Sequence, residues 1–353
     1  MSKRANQANL KQPRLLHTLT GRTNLIHIVT FSPEGRTLAS VDEDNVIQLW
    51  DTCTYSSIRT LYGHETWITD IAFSPNGRRL ASVSYDKTIR IWRVSDGSLL
   101  RTLRGHPGWV LKMAFQTDDK LLISENYGKI IQLREIEKNS TTFVLEGHTG
   151  IISYPVFSPD GQVLASADND GVIRLWQTMN GTLLHVLEGH TGDIHNLAFS
   201  PDNQVLASAG EDTTVRLWRV SDGTLIRTLE GHTKKISEIA FSPDGKTLIS
   251  LGDDCTLRLW RPATGSLVKT FKGSDGKAVW VIFNPNSRSF AIANYEDIIR
   301  LWRTSDGSLI HTFRSSTGNI NGAAFNPSGR ILTVAGDDGT IQLWDFREIL
   351  KDV

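Results

Sequence analysis

One spacing, 42 residues, runs through this chain almost from end to end. Phe31, Phe73, Phe115, Phe157, Phe199, Phe241, Phe283 and Phe325 follow one another at that interval. Trp50, Trp92, Trp176, Trp218, Trp260, Trp302 and Trp344 keep the same grid, with Arg134 in the one remaining place. No insertion or deletion breaks the phase. The 353 residues therefore read as eight copies of one unit rather than as two unlike domains.

Within a unit the strands are short and punctuated by turns. Asp193 to Phe199 leads into the turn sequence Ser200-Pro201-Asp202-Asn203. An apolar strand follows, Val205 to Ala209, then a second turn, Glu211-Asp212-Thr213. The third strand, Val215 to Arg219, alternates with period two. A turn holding Ser221-Asp222-Gly223 separates it from a fourth, Thr224 to Leu229. Most copies close the first turn with glycine, at Gly35, Gly77, Gly161, Gly245 and Gly329. Four antiparallel strands per unit and no helical period predict an all-β chain, a single eight-bladed β-propeller of four-stranded blades.

The ends indicate how such a ring closes. After Trp344 the chain offers no good copy of the outer strand, represented elsewhere by Leu99-Leu100-Arg101-Thr102-Leu103. The missing copy stands at the start, Arg14-Leu15-Leu16-His17-Thr18-Leu19. Residues 14–20 are thus expected to complete the last blade and leave only short outer edges. The division expected is a flexible polar tail, 1–13, and a propeller, 14–353.

Charge and composition exclude several classes. Lys plus Arg equal Asp plus Glu at 38 each, which argues against a nucleic-acid binder. No apolar run reaches the roughly 20 residues that span a bilayer, and the polar start lacks the apolar core of a signal peptide. Cys53 and Cys255 have no CxxC spacing and read as two buried or half-exposed free thiols, compatible with a reducing compartment. The expectation is a monomeric cytoplasmic protein with no cofactor, no metal site and no membrane or nucleic-acid partner.

The repeating residues resemble the WD-repeat β-propellers. Gly-His opens units at Gly63-His64, Gly105-His106, Gly147-His148, Gly189-His190 and Gly231-His232. Trp-Asp survives at Trp50-Asp51 and Trp344-Asp345, and elsewhere arginine mostly replaces the aspartate. The resemblance covers residues 14–345 and is specific for fold rather than function. It implies a buried chain of His, strand Ser, turn Asp and Trp in each blade. The matching sets are His64, Ser82, Asp86, Trp92; His148, Ser166, Asp170, Trp176; His190, Ser208, Asp212, Trp218; and His232, Ser250, Asp254, Trp260. Ser, His and Asp in four identical registers argue for structure, because an enzyme needs one asymmetric site. Blade one has Arg22 in the His place. Blade three has Gly128 and Arg134 for Asp and Trp. Blade seven has Ser274, Ile292 and Glu296, and blade eight has Ser316 and Val334. Those four blades are expected to rest more on apolar packing.

Function is then sought in what differs among blades. In relatives the face carrying the Gly-His loops is dominated by three positions per blade. On this grid those positions gather Trp67, Tyr85, Trp109, Leu111 and Tyr127 on blades two and three, flanked by Leu25 and Ile151. Blades five, six and eight offer Asp193, Glu211, Lys235, Asp253 and Asp337 instead. Exposed aromatics anchor interfaces, so a protein or peptide partner is expected over blades two and three. The competing reading is that these rings pack on neighbouring loops. Alternatives are carbohydrate or small-ligand binding through the tryptophans or a central channel, lined by a column that includes Asp70, Lys112, Glu238 and Trp280. An enzyme is the weakest reading, since nothing shows nucleophile and base logic.

Overall fold

In the fifth unit, Ile194–Phe199, Val205–Gly210, Val215–Arg219 and Leu225–Leu229 pair in that order as an antiparallel sheet. Its second strand is buried from Leu206 to Gly210, because neighbouring sheets cover both of its faces. Its outer strand is half exposed. A β-bulge between Leu217 and Trp218 re-aims the chain at the indole. The same irregularity recurs at Trp50, Trp92, Trp176, Trp260 and Trp302.

The computed structural model describes residues 13–349 except 24, 105–108, 116–120, 128–129, 136–139, 153–154, 273–277 and 295–296. Among the described residues there are eight sheets, each of four strands. Seven follow the chain in order. The eighth takes its outer strand from the other end: Arg14–Thr20 pairs with Thr340–Asp345, which continues to Ile331–Gly336 and Ile320–Phe325. Strand 14–20 thus clasps the ring.

The apolar cores lie between sheets. Ala207, Val215 and Leu217 of the fifth blade pack against Ile236, Leu248 and Trp260 of the sixth. The closing seam has the same composition, with Leu19, Ile341 and Leu343 of the last blade against Ile26, Leu38 and Trp50 of the first. A ring of this kind has no terminal sheet with an uncovered face.

The turn between second and third strands holds one left-handed residue in each described copy: Asn45, Lys87, Gly171, Thr213, Cys255, Asp297 and Gly339. Cys53 and Cys255 are both free, as expected, and both are exposed rather than buried. Each lies in a turn, and Cys255 sits at the left-handed position with φ 60°.

Candidate binding face and the buried polar chains

Three blades carry the polar chain as one directed series of hydrogen bonds. In blade two the Trp92 indole N–H donates to Ser82 Oγ at 2.9 Å, His64 Nε2 lies 2.8 Å from the same oxygen, and His64 Nδ1 lies 2.8 Å from Asp86 Oδ2. Blade five repeats this with Trp218, Ser208, His190 and Asp212. Blade six uses Trp260, Ser250, His232 and Asp254. With the aspartate ionised, Nδ1–H donates to it and neutral Nε2 accepts the serine O–H, so every group is satisfied. Burial holds His64 and His232 below the ordinary histidine value despite their carboxylate partners. Burial alone would raise the carboxyls of Asp212 and Asp254. Hydrogen bonds from the histidines, the threonines and the backbone outweigh it and hold both at about 2.

These sets do not have a hydrolase's access. Ser82, Ser166, Ser208 and Ser250 are each 0% exposed, and each serine oxygen already accepts a tryptophan N–H. No substrate carbonyl can reach such an oxygen, so the recurrent Ser-His-Asp triple is part of the core.

Blade four departs from the expected set. His148 Nδ1 pairs with Asp168 Oδ2 at 2.8 Å, not with Asp170, while Ser166 and Trp176 keep their places. Asp168 is fully buried at the end of the second strand, where blades five and six have Gly210 and Gly252. A Cβ at Gly252 would stand 2.5 Å from His232 Nδ1, so a carboxylate at this position is within reach of the histidine, whereas Ser84 of blade two bonds the Thr66 carbonyl and leaves His64 to Asp86. Asp170 is exposed and instead accepts from the Thr149 hydroxyl.

The incomplete blades differ from one another. In blade one Trp50 donates to Ser40, and Arg22 turns outward instead of joining the chain. In blade eight Trp344 donates to Gln342 Oε1, and the Gln342 amide donates to Ser316. In blade seven Trp302 Nε1 is buried without an acceptor among the described residues, beside Phe271, Phe290 and Ile292. His106, Gly128, Ser274 and Glu296 lie outside the described residues.

On the face with the Gly-His loops, blade two is the aromatic one. The Tyr85 N–H donates to the Trp67 carbonyl at 3.0 Å, which sets the two residues side by side. Tyr85 is 51% exposed. The Trp67 ring lies flat on His27 of blade one, with centroids 3.9 Å apart, and stays 36% exposed. His27 is itself fixed by the Ile68 carbonyl. The competing expectation, that rings pack on neighbours, thus describes one side of Trp67. Leu25 is half-buried and Ile151 is exposed. Trp109 and Leu111 lie on strand Trp109–Phe115 and Tyr127 ends strand Leu121–Tyr127, but their side chains fall outside the description. Sequence reasoning missed Tyr62, 56% exposed just before Gly63-His64 and capped by the Arg22 guanidinium 5.1 Å from its ring centre. The available signal was that this column is mostly charged elsewhere, as at Arg104, Glu146, Glu188 and Glu230.

The same columns are polar across the ring. Lys235 Nζ lies 4.0 Å from Asp253, and the Asn319 amide donates to Asp337 at 2.8 Å. On the inner strands, burial pushes the Glu238 carboxyl up to about 7.

Comparison with known proteins gives two family matches. Residues 152–351 match the family described as IFT122 first beta-propeller. Residues 13–51, 55–93 and 97–131 match the WD domain, G-beta repeat. Among curated proteins no sequence matches the chain. The crystal structure of the computationally designed Ika8 protein superposes with a TM-score of 0.81 at 23% identity, covering 94% of this chain and 99% of that one.

Proposed function

The chain belongs to the WD-repeat β-propellers, and on that premise we propose that it is a non-catalytic platform whose protein or peptide partner docks over blades two and three. WD-repeat propellers are in general non-enzymatic interaction scaffolds, which supports this reading. The finer reading rests on one observation, the exposed aromatic group of Trp67 and Tyr85 on blade two. Because Trp67 is stacked on His27 before anything binds, little of its side-chain freedom remains to be lost on association, which favours it as an anchor. Tyr62 and Tyr85 supply broad apolar faces with a polar tip, at low entropy cost. An exposed apolar patch is also a liability unless a partner covers it. The polar columns of blades five, six and eight offer no comparable anchor.

The test is affinity purification with mass spectrometry from the native host, using the wild type and a Trp67→Ala, Tyr85→Ala double variant. A specific partner retained by the wild type and lost by the double variant, with unchanged circular dichroism, is the expected result. A partner retained equally by both removes this face from consideration.

A further inference from the structure

Six described sheets tie the residue after their third strand back to their first turn by one backbone bond. The N–H groups of Thr52, Val94, Thr178, Val220, Thr304 and Phe346 donate at 2.9–3.0 Å to the carbonyls of Arg36, Arg78, Gln162, Gln204, Arg288 and Arg330. The side chain at that position also helps close its blade. Val220 and Phe346 enter the cores between sheets. The threonine hydroxyls bond the carbonyls of Gly35, Gly161 and Ser287. In the sixth unit this residue is Pro262. Proline has no N–H to give, and among the described residues no other donor takes its place at the Lys246 carbonyl. Beside it a cleft of about 370 Å³ opens between the fifth and sixth sheets.

The cleft lies on the face opposite Trp67, where first and third turns of each blade emerge. Its floor includes Val205, Ile226 and Phe241, all half-buried. Asp202 and Asp244, both exposed, stand at its rim. Each uses Oδ1 within its own turn, accepting the N–H of Gln204 or Lys246 at 3.1 Å, which leaves Oδ2 for an incoming cation. With Lys246 alongside, the charged rim carries one net negative charge. The space falls in the range of small binding pockets, and its elements are an apolar floor, an unused backbone acceptor and paired carboxylates.

We propose that this seam is a second binding site, for a short extended peptide segment with a large aliphatic side chain beside an arginine or lysine. A backbone N–H of the segment donates to the Lys246 carbonyl and replaces the bond that Pro262 cannot make. The aliphatic side chain covers Val205, Ile226 and Phe241. The cation lies against Asp202 and Asp244. The site does not depend on the aromatic face of blade two.

Methyl NMR of the full chain, titrated with acetyl-Ala-Leu-Arg-Ala amide, tests the proposal. Saturable shifts of the Val205 and Ile226 methyls are expected. Pro262→Val restores the repeat's N–H and supplies the side chain of Val94 and Val220, so it should melt no lower than wild type and show no such shifts. An Asp202→Asn, Asp244→Asn double variant, which keeps the Oδ1 acceptors, should bind at least tenfold more weakly, as should the peptide with Glu in place of Arg. No saturable shift in the wild type, equal shifts in Pro262→Val, or equal affinity for the Arg and Glu peptides would each overturn the proposal. So would shifts at these methyls that follow protein concentration without peptide, since a second copy would then be the occupant.

Discussion

Leu19 lies directly opposite Ile341 in the last sheet, and both are buried although they come from opposite ends of the chain. The ring is therefore held shut by an outer strand rather than by a covalent bond. Leu19→Ala should cost about 2–5 kcal/mol, the usual range for emptying a core leucine site. Leu15→Ala, on the same strand but 42% exposed, should stay within about 0.5 kcal/mol. Deleting residues 1–20 should lower the melting temperature more than either and produce aggregation through the bared edge of strand Thr340–Asp345. Thermal melts of the three variants check this. A deletion that melts with the wild type would mean that the clasp contributes nothing to closure.

Blade four gives a sharper test, because two aspartates two residues apart exchange roles. Asp168 holds His148 in a fully buried pair, whereas Asp170 is on the surface. Asp168→Ala leaves the histidine without its acceptor and should cost about 3–5 kcal/mol. Asp170→Ala should cost less than about 0.5 kcal/mol. In blade five the order reverses, since Gly210 stands where Asp168 does and Asp212 makes the contact. Asp212→Ala should therefore fall with Asp168→Ala. Denaturant melts showing Asp170→Ala as the costly change would restore the regular set in blade four.

Acid should weaken this fold in two steps. Burial, ahead of other causes, holds His27, His64, His148, His232 and His311 below the ordinary value of 6.5. The unfolded chain thus takes up protons first as pH falls below 6.5, and each group can remove about 1.4 kcal/mol per pH unit until it protonates in the fold. Asp86, Asp168, Asp212 and Asp254 sit below 3.8 in the fold, the last two at about 2. Their contribution is present above 3.8 and is lost as pH falls toward 2. Glu238, raised to about 7 by burial, works the other way between about 7 and 4.5, and Asp42 and Asp297, also raised by burial, do so above 3.8, but these are three groups against five histidines. Melting temperature should therefore fall from pH 7 to pH 5 and again below pH 4. A flat profile from pH 8 to pH 5 would contradict neutral buried histidines.

What could be read from the chain alone follows from how the information is stored. The 42-residue phase appears in the residues that repeat, and period-two alternation converts it into strands, so sheet number, strand order and the clasp were legible. Contacts that depend on one blade's departure were not. Asp168 replaces Asp170 because a carboxylate stands where blades two, five and six have Ser84, Gly210 and Gly252, and a grid of aligned motif positions hides that competition. The stacking of Trp67 on His27 depends on how two blades meet, which no spacing within a unit encodes. Pro262 was visible as a residue, but its consequence is a missing backbone donor, legible only once the equivalent N–H groups are seen bonding in other sheets.

The tryptophans of blades five and seven separate the polar chain from its packing. Trp218 donates to Ser208 at 2.8 Å and is 3% exposed. Trp302 occupies the same place, but Ile292 stands where the serine would be and, among the described residues, its buried N–H finds no acceptor. Its ring is held by Phe271 edge-on at 4.8 Å, and Lys269 Nζ lies 5.9 Å from its centre. Replacing either indole by phenylalanine removes apolar surface, and less of it is buried at Trp302, which is only partly buried where Trp218 is fully so. At Trp218 the change also breaks a bond and strips a donor from a buried serine, a further loss of about 1–2 kcal/mol. At Trp302 it removes an N–H that was desolvated without compensation, which should recover about 1 kcal/mol or more of the packing loss. Trp302→Phe is therefore expected to melt higher than Trp218→Phe by several degrees. Equal losses would mean that the indole bond in blade five contributes little and that ring packing alone fixes the tryptophan column.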